Sequence, residues 1–235
     1  MSELSRKTVA DRKRLAGADA SSTAREDYVV TIYRLEEVFG YARTTHIARE
    51  LGVRPATVTK IVSKLEEEGY VVWEKYRGAR LTDAGRRLAE KIVRRHRIVE
   101  RLLHDFVGLD LVDTHRYAHM MEHLPDEIVE RVHERLGRPS TCPTGNPIPG
   151  ESVPKEVANA VKLPSLQKGL CGRVVRVSMA VFDWGSELIR KGIVPGTRLC
   201  VKFSSPSHQV VEVNGGIELE IPAEQGQLVF VLPER

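Results

Sequence analysis

The chain has 235 residues, of which 41% are hydrophobic and 29% charged, and a formal net charge of +4. This is ordinary globular composition, which argues against wholesale disorder, and no apolar run approaches the roughly 18 residues of a membrane helix. The N-terminus has no apolar core of signal-peptide type, and Cys142, Cys171 and Cys200 form no CxxC pair. A zinc ribbon or a disulfide scaffold is therefore not expected, and a reducing cytoplasm is the expected compartment.

Residues 1–21 carry Arg6, Lys7, Arg12, Lys13 and Arg14 and read as a flexible basic arm. From Thr23 to Phe39, Tyr28, Ile32, Leu35 and Phe39 recur at helical spacing, and Gly40 ends the helix. Thr44 or Thr45 can cap a short second helix that stops at Gly52. Pro55 suits the first turn of a third, which runs to Glu68 with Val58, Ile61, Val62 and Leu65 inward. Tyr70–Glu74 and Ala79–Leu81 have β character around an Arg77-Gly78 turn. Thr82 and Asp83 can cap a long fourth helix reaching about Val107. Asp110 starts a fifth through His123, and Pro125 opens a sixth that ends at Gly137. Six prolines between Pro139 and Pro164 mark a linker or wrapped loop, with a short helix near Lys155–Val161. Asn146-Pro-Ile-Pro149 is stiff and carries one buriable residue, Ile148, so this run is expected to wrap back on the core. Beyond Gly172 short strands follow, with Asn214-Gly215 as a hairpin turn.

Three helices followed by a hairpin is the order of a winged helix-turn-helix. The third helix offers Thr57, Thr59, Lys60, Ser63 and Lys64, with Arg54 just before it, and the hairpin turn offers Arg77. Hydroxyls and cations of this length suit base edges and phosphates in a major groove. Acidic residues are absent from Val53 to Leu65, where phosphates would repel them. A solvated helix face is the plainer alternative.

The fifth helix reads His115-x-x-x-His119-x-x-Glu122-His123, a spacing that places all four on one face. His96 and Glu100 are likewise one turn apart on the fourth helix, and Asp27 lies on the first. Imidazoles and carboxylates gathered from several helices would enclose one or two divalent ions. The string His119-Met-Met-Glu-His123 also matches the HxxEH signature of zinc peptidases, which keeps a zinc-dependent hydrolase as an alternative. A winged-helix regulator sensing a non-metal signal is the other.

With both residue sets in hand, the chain resembles the diphtheria-toxin-repressor family of metal-dependent transcriptional regulators, which includes manganese-transport regulators. The resemblance covers about residues 23–235 and is strongest at Glu26–Tyr33, Ala56–Lys60, Glu74–Gly78, Arg95–Arg97, Glu100–Leu103, Gly108–Asp110, Glu122-His123 and Gly145–Gly150. It implies a mainly α chain with a β C-terminal domain: a winged-helix DNA-binding domain at 22–82, a helical dimerisation and metal-binding domain at 83–137, a Pro-rich linker at 138–169 and an SH3-like β-barrel domain at 170–235. It implies a non-enzymatic cytoplasmic repressor that binds near-palindromic double-stranded DNA as a homodimer and controls metal homeostasis genes. It maps a primary metal site onto Asp27, His119, Glu122 and His123, and an ancillary site onto His96, Glu100 and His115. Iron-type members carry a methionine at the position of Asp27 and a cysteine at that of His119. The harder donors here favour Mn²⁺, with Fe²⁺ the close alternative. Where some members lend ancillary ligands from the SH3-like domain, this chain has Val181 and Trp184, for which Asp183 or Glu187 could substitute.

Overall fold

The computed structural model describes residues 20–234. Most of the expected basic arm lies outside the described residues. The chain divides into two units, up to Val93 and from Arg94.

In the first unit, α1 (Ala20–Phe39), α2 (Thr44–Leu51) and α3 (Pro55–Glu67) precede an antiparallel hairpin of β1 (Val71–Glu74) and β2 (Gly78–Leu81). Ile32, Leu35, Val38, Ile47, Val58, Val62 and Leu65 are buried. Burying these aliphatic side chains contributes about 1.5–3 kcal/mol each before entropy is counted. Neither Thr44 nor Thr45 caps α2. Arg43 occupies the N-cap without a side-chain bond, and Gly52 closes the helix with φ 64°. Pro55 does begin α3. The hairpin is tied to the α1–α2 loop by reciprocal 2.9 Å bonds between Ala42 and Ala79. Beside them stands Gly78, where a Cβ would lie 2.3 Å from the Ala42 carbonyl oxygen, so only glycine lets the wing lie that close.

Helix α4 runs Asp83–Asp105, and the Thr82 hydroxyl accepts the Gly85 amide at its start. The Asp110 carboxylate accepts the Val112 and Asp113 amides at 2.9 Å and so caps α5 (Leu111–Met121). Helix α6 spans Asp126–Arg135. In the second unit Ile98, Val129 and Ile148 form one buried cluster, and Val99, Leu103 and Ala118 another. Ile148 belongs to the Pro-rich segment, whose prolines leave carbonyls in surplus over amides. Three arginines spaced along α4 supply the missing donors. Arg94 donates to the Pro149 carbonyl (2.8 Å), Arg97 to that of Pro147 and Arg101 to that of Thr141 (2.8 Å). On the other side of the segment, Asn146 donates to the Val177 carbonyl and accepts from Arg176.

After α7 (Lys155–Ala158) come β3 (Val161–Lys162), β4 (Cys171–Val177), α8 (Phe182–Arg190), β5 (Arg198–Ser204), β6 (His208–Val213), β7 (Ile217–Pro222), α9 (Ala223–Gly226) and β8 (Val229–Pro233). The strands form one antiparallel sheet in the order β3-β8-β4-β5-β6-β7. The C-terminal β domain is present, but its sheet is open with β3 and β7 as edges, where a barrel was expected. Asn214 (φ 49°) and Gly215 (φ 77°) make the β6–β7 turn in the left-handed conformation that such sequences favour. The thiols also depart from expectation: Cys171 and Cys200 form a disulfide, leaving Cys142 as the buried free thiol. They stand directly opposite each other on neighbouring strands, a register that no count of cysteines reveals.

Candidate metal centre

Two helices and one helix end build the centre. His96 and Glu100 are one turn apart on α4, His115 and His119 one turn apart on α5, and Glu122 is the residue that closes α5. His96, Glu100, His115 and Glu122 are buried, and the His119 side chain is 14% exposed. His96 Nε2 lies 3.2 Å from Glu100 Oε1 and 3.0 Å from His115 Nδ1, and that His115 nitrogen lies 2.6 Å from Glu100 Oε1. At the opposite edge of the His96 ring, Nδ1 lies 2.9 Å from Glu122 Oε2. The same carboxylate oxygen is 3.2 Å from His119 Nδ1, while His119 Nε2 is 3.3 Å from His115 Nε2. One ligating atom from each of His96, His115 and His119 falls within 4.8 Å of the other two.

Burial by itself raises a carboxyl's pKa, because it disfavours the charged form. Here the imidazoles outweigh it. His96 and His115 hold Glu100 well below the usual carboxylate range, and His119 and His96 do the same for Glu122. Both are therefore acceptors at neutral pH, and the cluster gathers imidazole nitrogens and carboxylate oxygens within hydrogen-bonding distance of one another. The separations among His96, Glu100 and His115, 2.6–3.2 Å, are those of hydrogen bonds, a little shorter than the roughly 3.3–3.6 Å between donors around a tetrahedral first-row ion. The donor set suits a divalent transition metal.

The surroundings close this cluster. The Pro-rich segment brings Cys142 beside Glu100, with its Sγ 3.2 Å from the Thr144 hydroxyl. Burial and then the Glu100 charge push that thiol up to about 11. From the β domain, the Phe182 ring lies nearly parallel to the His115 imidazole, with centroids 5.9 Å apart. Val181 is a buried aliphatic residue, and Glu187 pairs with Lys191 (2.7 Å) and accepts from Gln225 (3.1 Å). Phe182 thus brings that domain against the cluster. Sequence reasoning missed both Cys142 and Phe182, since nothing in the spacing of a lone cysteine or phenylalanine ties it to a histidine on another element. His123 follows α5 and is exposed, outside the three-imidazole group. Asp27 is half-buried on α1 of the first unit.

The expected DNA-contacting set, Arg54, Thr57, Thr59, Lys60, Ser63, Lys64 and Arg77, is exposed throughout. Val58, Val62 and Leu65 bury the opposite face of α3, so the cationic stripe follows from amphipathicity. Two members have local partners: the Thr59 hydroxyl donates to the Pro55 carbonyl (3.2 Å), and Arg77 pairs with Glu74 (3.4 Å).

An exposed cationic helix behind a wing, and a buried imidazole–carboxylate cluster in the following helices, define a DNA-binding protein that answers to a metal. Comparison with known proteins agrees. Residues 21–79 match the iron dependent repressor N-terminal DNA binding domain, and residues 82–150 its metal binding and dimerisation domain. The iron-dependent repressor IdeR of Mycobacterium tuberculosis is 33% identical over 219 residues, covering 88% of this chain and 95% of that protein. The crystal structure of T. acidophilum IdeR superposes with a TM-score of 0.76 at 30% identity, covering 89% of this chain and 97% of that one. A manganese-dependent transcriptional repressor in complex with manganese gives 0.72 at 29% identity, covering 89% and 100%. The chain belongs to the diphtheria-toxin-repressor family of metal-dependent, DNA-binding transcriptional regulators. Among the described residues, no helix is long and apolar enough to cross a membrane.

Proposed function

We propose that this protein is a cytoplasmic, homodimeric repressor that binds a near-palindromic operator when loaded with Mn²⁺ or Fe²⁺, and so controls genes of metal homeostasis. The observation that carries the reading is the cluster of the buried His96, Glu100, His115 and Glu122 with the largely covered His119, in a chain that also presents Lys60 and Lys64 on the exposed face of α3. The resemblance adds Asp27 and His123 to the ligands. Asp27 in place of a thioether, and His119 in place of a thiolate, keep Mn²⁺ as the first choice at that set.

The mechanism is a population shift. An ion that binds the DNA-competent arrangement more tightly than the others raises its share, and by linkage the operator must tighten the metal in return. Two recognition helices related by a dimer axis call for two half-sites of matching symmetry.

The HxxEH string supports a hydrolase less well. In that chemistry the glutamate acts as a base on water, whereas Glu122 is 4% exposed and engaged by the His96 and His119 rings. The experiment is an operator-binding titration under anaerobic conditions with Mn²⁺, Fe²⁺, Zn²⁺ and a chelator. Metal-dependent binding is expected. Equal affinity in chelator would overturn the sensor reading.

A further inference from the structure

We propose that Cys171 and Cys200 form a reversible redox site, opened and closed by exchange with a low-molecular-weight thiol and its disulfide. The pair lies on a seam of the sheet. Strands β4 and β5 share three paired positions, against five for β4–β8 and six for β6–β7. Cys171 and Cys200 are the first of those three. Their bond therefore staples the β5–β6–β7 half of the sheet to the β3–β8–β4 half. It also closes the loop between them, which carries α8 and with it Phe182, the ring packed on His115.

A disulfide exchanges readily when one sulfur can be reached and the other can leave as a thiolate. Side chains alternate across a sheet, so Cys171 and Cys200 share a face with the exposed Arg173, Arg198 and Lys202, each two residues away along its strand. Two carboxylates stand there as well. Glu212 faces Cys200 from β6 and binds Lys202 (2.8 Å), and Glu234, whose amide donates to the Cys171 carbonyl, binds Arg198 (2.7 Å). Three cations against two carboxylates leave a positive balance beside the sulfurs, which favours thiolate. Cys142, buried beside Glu100, is the opposite case. Cys171 is half-buried whereas Cys200 is 9% exposed, so the incoming thiolate attacks the Cys171 sulfur. The S–S bond breaks, and its electron pair leaves on Cys200 Sγ, which takes up a proton. A second thiolate attacks the outer sulfur of the mixed disulfide and releases Cys171 as a thiolate, which is protonated in turn. Two external thiols and one protein disulfide become one external disulfide and two protein thiols, and oxidation runs the same steps backward.

Glutathione and its disulfide are the probe. The full-length protein is equilibrated with them at graded ratios in the presence of a chelator, then alkylated and mapped by mass spectrometry. Cys171 and Cys200 should change state together, with a two-electron dependence on the ratio and an unchanged circular dichroism spectrum. A bond left intact by reduced glutathione alone would be purely structural, and thiols left free in oxidised glutathione would mean that no bond forms. Either result overturns the proposal, as does unfolding on reduction. In Cys200→Ser the remaining Cys171 should take up glutathione about tenfold faster, or more, than Cys200 does in Cys171→Ser; equal rates would refute Cys171 as the entry sulfur. Trp184 lies inside the closed loop. In a Trp73→Phe background its fluorescence should give a lower urea midpoint for the reduced protein than for the oxidised one, and identical midpoints would refute the staple.

Discussion

Truncation of Ile148 to alanine tests whether the Pro-rich segment is part of the folded core. Ile148 is 1% exposed and packs with Ile98 and Val129, flanked by Leu124, Val132 and Leu136. The change removes three carbons, which at about 0.8 kcal/mol per buried group amounts to about 2.4 kcal/mol of lost transfer energy. The cavity left among five side chains closes only in part, which brings the expected loss to about 3–4 kcal/mol. Ile148→Val, one carbon smaller, should cost about 1 kcal/mol. The chain has two tryptophans, Trp73 in the first unit and Trp184 in the second. Equilibrium urea unfolding followed by fluorescence in a Trp73→Phe background therefore reports the unit that holds Ile148. A flexible tether would feel neither substitution. A loss below about 1 kcal/mol for Ile148→Ala would refute the packing argument.

Lys60→Glu and Lys64→Glu each set an anion where a phosphate contact is expected, and should reduce operator affinity more than tenfold with the circular dichroism unchanged; full affinity in both at moderate salt would remove α3 from the DNA interface. Cys142, with its thiol pushed up to about 11 from an ordinary 9.0, carries about a hundredth of the usual thiolate at neutral pH. Metal-free folded protein should accordingly react with a thiol reagent at pH 7 at least a hundredfold slower than urea-unfolded protein, the gap narrowing as pH rises toward 11; comparable rates at pH 7 would contradict the burial. Gly145 has φ 82°, and a Cβ there would meet the Val175 carbonyl oxygen at 2.0 Å. Gly145→Ala should destabilise the second unit by more than about 1 kcal/mol, and a neutral result by urea titration would show that the segment can shift away from β4.

The parts of the fold visible in the sequence are those with local causes. Pro55, Gly52 and Asp110 punctuate helices through φ, missing amides and side-chain acceptors, and the structure puts helix ends at each. The α3 stripe was legible because one helix face must be apolar and the other is then free to carry cations. Helix α8 was not read, and neither was β7, although Ile217-Glu-Leu-Glu-Ile alternates plainly after the Asn-Gly turn. The candidate centre shows the limit most clearly. Spacings of three and four put His115, His119 and Glu122 on one face of α5, yet they cannot say which neighbouring side chain each will meet. That depends on how α4 lies against α5, which sets the His96 ring 3.0 Å from His115 and 2.9 Å from Glu122. The Cys171–Cys200 disulfide was illegible for the same kind of reason: strand register, not spacing along the chain, sets it.

The grip of Arg94, Arg97 and Arg101 on the Pro-rich segment has a consequence for how this protein can be cut or recombined. A break after Gly137 falls in polar sequence and looks harmless. It would strip three arginines on α4 of their carbonyl acceptors, empty the Ile148 position and remove Cys142 from beside Glu100. The family match to the metal binding and dimerisation domain runs on to Gly150, past the last of these contacts to a proline carbonyl. The matched domain thus includes the strap along with the helices. A chimera that exchanges β domains should be joined beyond Glu151, where Arg94 has its last partner on the strap, so that each parent keeps its strap with the helices it was shaped to fit.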